Sequence, residues 1–553
     1  MTALLSPAAE LDHRLGDPRD PANPHGFAAA VRRDALSARP EALIEACRGL
    51  ALSFVPAAEG GSLSTMDRTL ALVRVAARRD VTVMPHTMFS ITAATCVLLA
   101  GTPDQRRRVL ELLAEGHAIG FALSEPEHGS DLLANGCLLE PHPEGFLLTG
   151  DKWMVGLGER ARALLLVGRT GGRGPGAFTA VLLDGAAVDR GRAESVSTSG
   201  MRGVDGTAFR FAGEVVPASA VVGEPGRGLE IAMKAMQVVR TMSTGANLAA
   251  ADTGLRVTLD FAVRHVVAGR PVVEHDRNRR ELGTAAAALL ACDVVATACA
   301  RGMHTNPAGQ SLWSSVAKKV CTDLSEEVFR RCADVLGTRA LLADGPFDVM
   351  RRDNAVVRHI DTGPTANLRL VAAHLAGRAT DTTPPEAVFT LDHDLPPLDL
   401  GGLGLSTRGR DEVTQSLPEV AAAMRTVLAD DRALTLLTRL EKALAAGPTS
   451  AADTERAADP LDRAERFCYL HAAAACAHLW WFNLDRSLFG TAPGDTGWLV
   501  ATLALLLDRA HRVEDRLRTE DADPVLDAVL DLHATGRLFS ATPLPLAEGG
   551  TPA

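Results

Sequence analysis

The sequence lacks the patterns that mark several common classes of protein. Its nine cysteines occur singly, without a Cys-x-x-Cys pair, which argues against a structural zinc site and against a disulfide framework. The net charge of −11 and the lack of basic runs interleaved with aromatic residues leave no general attraction for phosphodiester backbones. We therefore expect reduced, mostly buried thiols, no bound metal and no nucleic-acid partner.

Long apolar runs are also missing from the 553 residues. No uninterrupted run reaches the roughly 18 to 20 residues of a membrane-spanning helix. The first residues soon become polar and acidic, whereas a secretory signal has a basic start and an apolar middle. We therefore expect no transmembrane segment and a cytoplasmic protein, whose length suggests about three or four domain-sized units.

Two hydrophobic periods alternate along the chain. Apolar residues recur three and four positions apart in segments such as 69–75 and 107–113, which is typical of amphipathic helices. Short apolar runs broken by Gly, Pro and Asp predict strands instead. These strand-like runs lie at 118–123, 145–148, 163–167, 178–183 and 207–211. The sequence therefore predicts a mainly α protein with a central β-domain.

The same patterns divide the chain into domains. We expect an N-terminal extension (1–24), an N-terminal helical domain (25–117), a β-domain (118–224), a helical bundle (225–380), a linker with two Pro-Pro pairs (381–408) and a C-terminal helical domain (409–545), in which residues 446–459 are loop-like.

Two motifs in the β-domain are specific. Residues 121–131 read Phe-Ala-Leu-Ser-Glu-Pro-Glu-His-Gly-Ser-Asp, and residues 145–155 read Gly-Phe-Leu-Leu-Thr-Gly-Asp-Lys-Trp-Met-Val. In order and spacing they resemble two signatures of the acyl-CoA dehydrogenase and acyl-CoA oxidase superfamily, and weaker similarities extend over about residues 25–378. The resemblance implies an N-terminal helical domain, a β-barrel-like domain and a four-helix bundle. The further C-terminal helices suggest a divergent long member.

The first motif also has a physical basis of its own. Ser124 offers a hydroxyl to a ring nitrogen, Gly129 permits close backbone approach, and Ser130 adds a second hydroxyl. The alternative is a serine-stabilised turn without a ligand. Through the resemblance, the expected cofactor is FAD. The residues expected around its ring are Phe121, Leu123, Ser124, Gly129, Ser130, Trp153, Met154, Gly156 and Gly363.

The second motif departs from the family at its end. The aromatic residue and the threonine that approach the flavin in the family fall at Met154 and Gly156, while the aromatic residue here is Trp153. Either the strand is shifted by one residue, or the flavin packs differently. An alternative for Trp153 is a place in the core or at a domain contact.

The resemblance also places the substrate and a catalytic base. Ser130, Met236, Gln237 and Arg240 are expected to line the substrate cavity, although Arg240 could instead be a surface residue of a helix. Desaturation of an acyl thioester requires a base for the α-proton while hydride leaves the β-carbon for the flavin N5. The family commonly uses Glu after an Arg-Asp pair. Residues 352–363 place Asp361 at this position.

Aspartate changes the reach of such a base. Its side chain is shorter by one methylene, about 1.5 Å, and a misplacement of about 1 Å can cost two orders of magnitude in rate. A superfamily member that oxidises nitroalkanes is similar in using Asp. The alternative for Asp361 is an N-cap of the helix predicted from Pro364 to Ala376.

Two segments that contact the flavin pyrophosphate in the family are altered here, and the first of them reaches the cofactor of a neighbouring subunit in the family. Arg264, His265 and Arg270 stand in one of them, and Asp334, Gly337 and Thr338 stand in the other. Imidazole in place of a guanidinium fork weakens anion binding, although Arg264 or Arg270 could substitute.

The sequence thus predicts a flavin-dependent enzyme that dehydrogenates an acyl thioester carried by CoA or a carrier protein. The resemblance implies a homodimer or homotetramer that passes electrons to a flavoprotein or to oxygen. Two alternatives remain at this point: acid/base chemistry on a thioester without redox, using Asp361 or His359, and a non-catalytic subunit.

Overall fold

Six helices precede the sheet in the computed structural model, which describes residues 6–375, 382–446, 459–512 and 517–547. They are α1 (Pro7–Leu15), α2 (Phe27–Ala35), α3 (Glu41–Ala46), α4 (Met66–Ala77), α5 (Pro85–Ala100) and α6 (Pro103–Ala114). A capping box between Thr102 and Gln105 begins α6. Asp12 of α1 binds Arg79 at 2.7 Å. The segment predicted as an N-terminal extension is therefore packed against the helical domain.

A central sheet follows these helices. Its strands are β1 (Ala118–Ala122), β2 (Leu138–His142), β3 (Gly145–Gly156), β4 (Ala161–Arg169), β5 (Phe178–Asp184), β6 (Arg192–Val196), β7 (Gly206–Pro217) and β8 (Val221–Val222), with helix α7 (Ala186–Gly191) between β5 and β6. The order is β6-β7-β3-β2-β4-β5-β8, and β1 pairs with β4 in parallel. The five strand-like runs in the sequence coincide with β1, β3, β4, β5 and β7. Strands β2 and β6 were not predicted, because one residue of β2 and none of β6 is buried.

The helical bundle lies beside the sheet. It consists of α8 (Gly228–Arg264), α9 (Asp276–Thr305), α10 (Gln310–Leu336), α11 (Pro346–Val357) and α12 (Pro364–His374), with the short strands β9 (Val266–Val267) and β10 (Arg270–Pro271) after α8. Helix α8 is central, since it packs against α4, α5, α9, α10 and α11. It therefore fixes the N-terminal helices relative to the bundle.

The C-terminal helices cover the outer face of the bundle. They are α13 (Glu386–Phe389), α14 (Glu412–Gln415), α15 (Leu417–Met424), α16 (Asp431–Ala445), α17 (Pro460–Trp481), α18 (Gly497–Ala510) and α19 (Thr519–Ala534). Helices α17, α18 and α19 all pack on α9. The predicted linker is packed as well, since Arg301 donates hydrogen bonds to the carbonyls of Val388 and Thr390. Most of the loop predicted at 446–459 lies outside the described residues.

Two segments are long and apolar enough for a membrane span by length and composition, although neither is an uninterrupted apolar run. The segment Val81–Ala100 and the helix Asp276–Thr305 have mean hydropathies of 1.5 and 1.8, and 78% and 94% of the relevant residues are buried inside the protein. Small polar residues and single charges interrupt their apolar runs, so a search for uninterrupted runs misses them. Both form part of the protein core. All nine cysteines are free and buried, as expected.

Candidate functional site

A cavity of about 610 Å³ lies where the sheet, α5, α8 and the turn before α12 meet. This volume is within the range of roughly 300–1,000 Å³ typical of small-molecule sites. Most residues predicted for the site line it: Phe121, Leu123, Ser124, Gly129, Ser130, Trp153, Met154, Gly156, Met236, Arg240, Asp361 and Gly363. Residues from three distant parts of the sequence thus line one cavity.

The loop after β1 is held from behind by a buried carboxylate. Glu125 accepts hydrogen bonds from the backbone N–H groups of Gly136 and Cys137 and from Lys152 Nζ at 2.8 Å. Burial works to raise the pKa of Glu125, but Lys152 and the two N–H groups hold it below its ordinary value. Glu125 therefore fixes the loop. The hydroxyls of Ser124 and Ser130, which line the cavity, have no hydrogen-bond partner among the described residues.

A bulge in β3 places two large side chains on the cavity. The pairing of β3 with β7 is irregular between Lys152 and Val155, and Met154 has a φ of 55°. A bulge sets two residues against one on the partner strand. Trp153 and Met154, which are 39% and 40% exposed, therefore both face the cavity. The core alternative for Trp153 is wrong.

Asp361 occupies a strained turn between α11 and α12. Its φ is 66°, and Thr362 N–H donates to the Ile360 carbonyl across it at 2.8 Å, which makes Asp361 the centre of a three-residue turn. Strain of this kind is concentrated at functional sites. The side chain is only 7% exposed, and no hydrogen-bond donor reaches its Oδ2 within the described ranges.

The N-cap alternative for Asp361 is wrong. Helix α12 begins at Pro364, and its N-cap is Gly363, which has no side chain to form a cap. Asp361 instead lies 3.7 Å from Lys318 Nζ, measured from Oδ2. Its carboxylate is therefore paired electrostatically at the cavity wall and is not used by a helix end.

Arg240 is buried beside this carboxylate, so the surface alternative is also wrong. Its Nη1 donates to Ser315 Oγ at 3.0 Å, and its Nε donates to the Met236 carbonyl. Burial lowers the pKa of Arg240 to about 10, although Asp361 and Cys299 oppose this shift. Two buried cations, Arg240 and Lys318, thus face one carboxylate.

Comparison with known proteins gives the family. The model of the acyl-CoA dehydrogenase C-terminal domain matches residues 226–375. Cyclohex-1-ene-1-carbonyl-CoA dehydrogenase of Geobacter metallireducens is 27% identical over 339 residues, which cover 58% of this chain and 86% of that protein. The chain belongs to the acyl-CoA dehydrogenase superfamily.

Further known proteins are similar to a shorter part of the chain or to its fold alone. The mitochondrial isovaleryl-CoA dehydrogenase of Oryza sativa subsp. japonica is 31% identical over 181 residues, which cover 32% of this chain and only 43% of that protein. An acyl-CoA dehydrogenase complexed with FAD from Bacillus anthracis has a TM-score of 0.66 at 15% identity and covers 97% of this chain and 94% of its own. A prolyl acyl carrier protein oxidase has a TM-score of 0.57 at 18% identity, with 63% and 93% covered.

These structural matches confirm the fold class expected from the sequence: helices, a central sheet and a helical bundle, followed by further C-terminal helices. In this superfamily member, however, several predicted site residues lie outside the cavity. They are Gln237, Arg264, His265, Arg270, Asp334, Gly337 and Thr338.

Helix geometry explains these positions. Met236 and Arg240 are four residues apart and share one face of α8, whereas Gln237 is turned by about 100° and donates instead to the Gly404 carbonyl. Arg264 ends α8, 24 residues beyond Arg240, which corresponds to about 36 Å along the axis. Arg264, and with it His265 and Arg270 just beyond the end of α8, therefore lie far along the helix axis from the cavity residue Arg240.

Phe89 is a cavity residue that the sequence did not indicate. A Cβ added to Gly156 would lie 1.9 Å from Phe89 Cδ2, so the ring fills the space where the family has a threonine side chain. Thr92 on the same helix and Lys318 on α10 were also missed. A polar or charged residue within the apolar runs of α5 and α10 was the available signal.

We expect Gly156→Ala to lower the free energy of unfolding by about 1–3 kcal/mol, because the new methyl group must displace the Phe89 ring. In a Phe89→Ala background, the same change should cost at least about 0.5 kcal/mol less. Urea unfolding of the four proteins measures both values. Gly176→Ala is the matched control, since no atom lies within 4 Å of its added Cβ. An equal cost in both backgrounds would show that the two residues do not compete for space.

A second prediction concerns Asp353, which links α11 to the cavity wall. Its Oδ1 accepts from Met201 N–H at 2.5 Å, and burial raises its pKa to about 8. The folded state therefore retains a proton that the unfolded state loses near pH 4. Stability should fall as the pH rises from about 4 to 8, by at most about 1.4 kcal/mol for each pH unit.

Asp353→Asn should remove this slope while keeping the acceptor for Met201. Urea midpoints between pH 5.5 and 8.0 measure it. Asp348→Asn on the same helix is the control: its pKa is lowered by Arg352 and Arg351 against the effect of burial, so its loss of stability should be constant over this window. Parallel pH curves for wild type and Asp353→Asn would contradict the prediction.

Proposed function

We propose that the chain is a flavin-dependent oxidoreductase that dehydrogenates an acyl thioester, with Asp361 as the base. The observation that carries the proposal is the carboxylate of Asp361, which is buried at the cavity wall with its Oδ2 free of hydrogen bonds. A free lone pair can accept the α-proton directly. Membership of the superfamily supports an oxidoreductase acting on a CH–CH group.

The cavity suits the ring of FAD. The hydroxyls of Ser124 and Ser130 are available to its polar edge, the space beside Gly129 is open, and the half-exposed side chains of Trp153 and Met154 offer apolar surface to its face. One contact expected from the family is missing, because Gly156 provides no hydroxyl. FAD, when bound, would supply the acceptor for the hydride from the β-carbon.

The remaining steps belong to residues of this chain. The Asp361 carboxylate takes the proton from the α-carbon and becomes a neutral carboxyl. Arg240 and Lys318 place two buried positive charges beside this carboxylate. The apolar residues Phe89, Met233 and Met236 line the cavity and exclude water from the acyl chain.

We further propose a homodimer or homotetramer, because the cationic residues expected at the FAD pyrophosphate do not line the cavity of the same chain. Arg264, His265 and Arg270 lie together at the far end of α8, beside the exposed apolar residues Val266 and Val267. A second copy could bring this end to the cofactor. Light scattering that finds a single FAD-containing chain would contradict this proposal.

For the carrier of the acyl group and for the electron acceptor, we propose chemical classes only. Related proteins include acyl-CoA dehydrogenases and a prolyl acyl carrier protein oxidase. We therefore propose a CoA or carrier-protein thioester, with a flavoprotein or oxygen as acceptor.

The decisive experiment is the visible absorption spectrum of the purified protein after incubation with FAD and desalting. We expect a retained flavin band that is bleached without oxygen by at least one of butyryl-, isovaleryl- and octanoyl-CoA or butyryl pantetheine. Oxygen consumption then separates an oxidase from a dehydrogenase. Absence of FAD binding would overturn the proposal in favour of acid/base chemistry at Asp361 or His359, or of a non-catalytic subunit.

A further inference from the structure

A lysine on α10 lies directly behind the proposed base. Lys318 is 2% exposed, and its Nζ donates to the Val357 carbonyl at 2.7 Å and to Ser243 Oγ at 3.2 Å. The third side of the ammonium faces Asp361 Oδ2 at 3.7 Å. Lys318 therefore connects its own helix with α8 and with the end of α11, four residues before Asp361.

The separation of 3.7 Å has a specific consequence. It is too long for a hydrogen bond, yet short enough for strong attraction between opposite charges in a buried place. The ammonium therefore attracts the carboxylate from behind without forming a hydrogen bond to it. Its two hydrogen bonds are made to other groups, and both fix elements that border the cavity.

Burial of this charge needs an explanation beyond stability, because a buried ion pair is often no more stabilising than apolar residues of similar size. Burial lowers the pKa of Lys318, and Asp361 opposes this shift. The other charged or titratable groups that act on it are Arg240 from α8 and Cys321 from its own helix. Asp361 is thus the main partner that retains the charge of this lysine.

We propose that Lys318 is the positioning residue for Asp361, because its ammonium attracts the carboxylate and holds it in place at the cavity wall. This inference rests on the proposed function, in which Asp361 removes the α-proton. Without Lys318, the carboxylate loses the charge that holds it and no longer meets the α-carbon in the geometry that proton transfer needs. The loss appears in proton abstraction and not in the binding of FAD.

The test measures anaerobic flavin reduction of the full-length, FAD-loaded protein by butyryl-, isovaleryl- and octanoyl-CoA between pH 6 and 9. We expect Lys318→Met and Lys318→Gln to retain FAD and to be reduced at least about 100-fold more slowly at pH 7. Their pH profiles should also differ from the wild-type profile, because a positive charge beside the base is lost. Glutamine retains hydrogen-bond donors but carries no charge.

Lys319→Met is the matched control on the same helix. Lys319 is also buried, but it binds Asp323 and Glu465 on the side of the C-terminal helices. The flavin of the Lys319→Met variant should be reduced at a rate within about threefold of the wild-type rate, with an unchanged pH profile.

The outcomes separate the inference from the function on which it rests. If none of the thioesters reduces wild-type protein, the proposed function fails and the role of Lys318 fails with it. If wild type is reduced and Lys318→Met matches its rate and pH profile, the role of Lys318 alone is overturned. Wild-type behaviour of Lys318→Gln would equally overturn it, and this variant decides the question if Lys318→Met does not fold.

Discussion

Asp361→Asn should retain FAD and lose about 10²- to 10⁴-fold of the rate of flavin reduction by an acyl thioester. Asparagine has the size of aspartate but no basic oxygen, so the α-proton has no acceptor. The effect should appear in the reduction rate constant under saturating thioester, measured by anaerobic stopped flow. Reduction at the wild-type rate would show that another group is the base.

Two further substitutions sharpen this prediction. Asp205 also lines the cavity, but its Oδ2 already accepts hydrogen bonds from Glu159 N–H and Thr207 Oγ1. Asp205→Asn should therefore keep the rate within a few-fold. Asp361→Glu keeps a carboxylate but displaces it by about 1.5 Å, which should cost about 10²-fold, less than the loss of the carboxylate itself.

Local patterns predicted the β-domain side of the site well. The two motifs place Ser124, Ser130 and Trp153 within short stretches of chain, and short-range spacing determines which of these residues share a surface. The exposure of Met154 beside Trp153 could not be predicted, because it depends on a bulge opposite β7. Strands with few buried residues, such as β6, gave no apolar signal in the sequence.

The helical side of the site was predicted less completely. Arg240 and Met236 were correctly placed on one face of α8. Gln237, one position after Met236, points to another side of the helix and binds Gly404 in the linker. Phe89 lines the cavity and Lys318 lies behind Asp361. Both belong to helices that are distant in sequence, so only tertiary packing reveals them. The pyrophosphate residues stay a prediction, because they concern contacts between copies.

A network of buried charges holds the fold together far from the cavity. Asp252 on α8 accepts hydrogen bonds from Arg78 Nε at 3.2 Å, from Arg256 Nε at 2.6 Å and from Phe539 N–H at 3.2 Å. The Arg256 guanidinium also lies 3.9 Å from the centre of the Phe539 ring. Asp252 thus joins α8, the end of α4 and the segment that follows α19.

We expect Asp252→Asn to lower the free energy of unfolding by about 3–5 kcal/mol at pH 7, because Arg78 and Arg256 then lose the buried carboxylate with which both form ion pairs. Burial tends to raise the pKa of Asp252, but Arg256, Arg78 and Arg74 hold it below its ordinary value. The stability it contributes is therefore present above about pH 4 and is lost as the pH falls further.

Urea unfolding at pH 7 and at pH 3 measures both effects, with Glu230→Gln on the surface of α8 as the control. Glu230 pairs with Arg227 and Lys234 near solvent, so its loss should cost less than about 1 kcal/mol. A similarly small cost for Asp252→Asn would show that the network does not hold the C-terminal segment on the core.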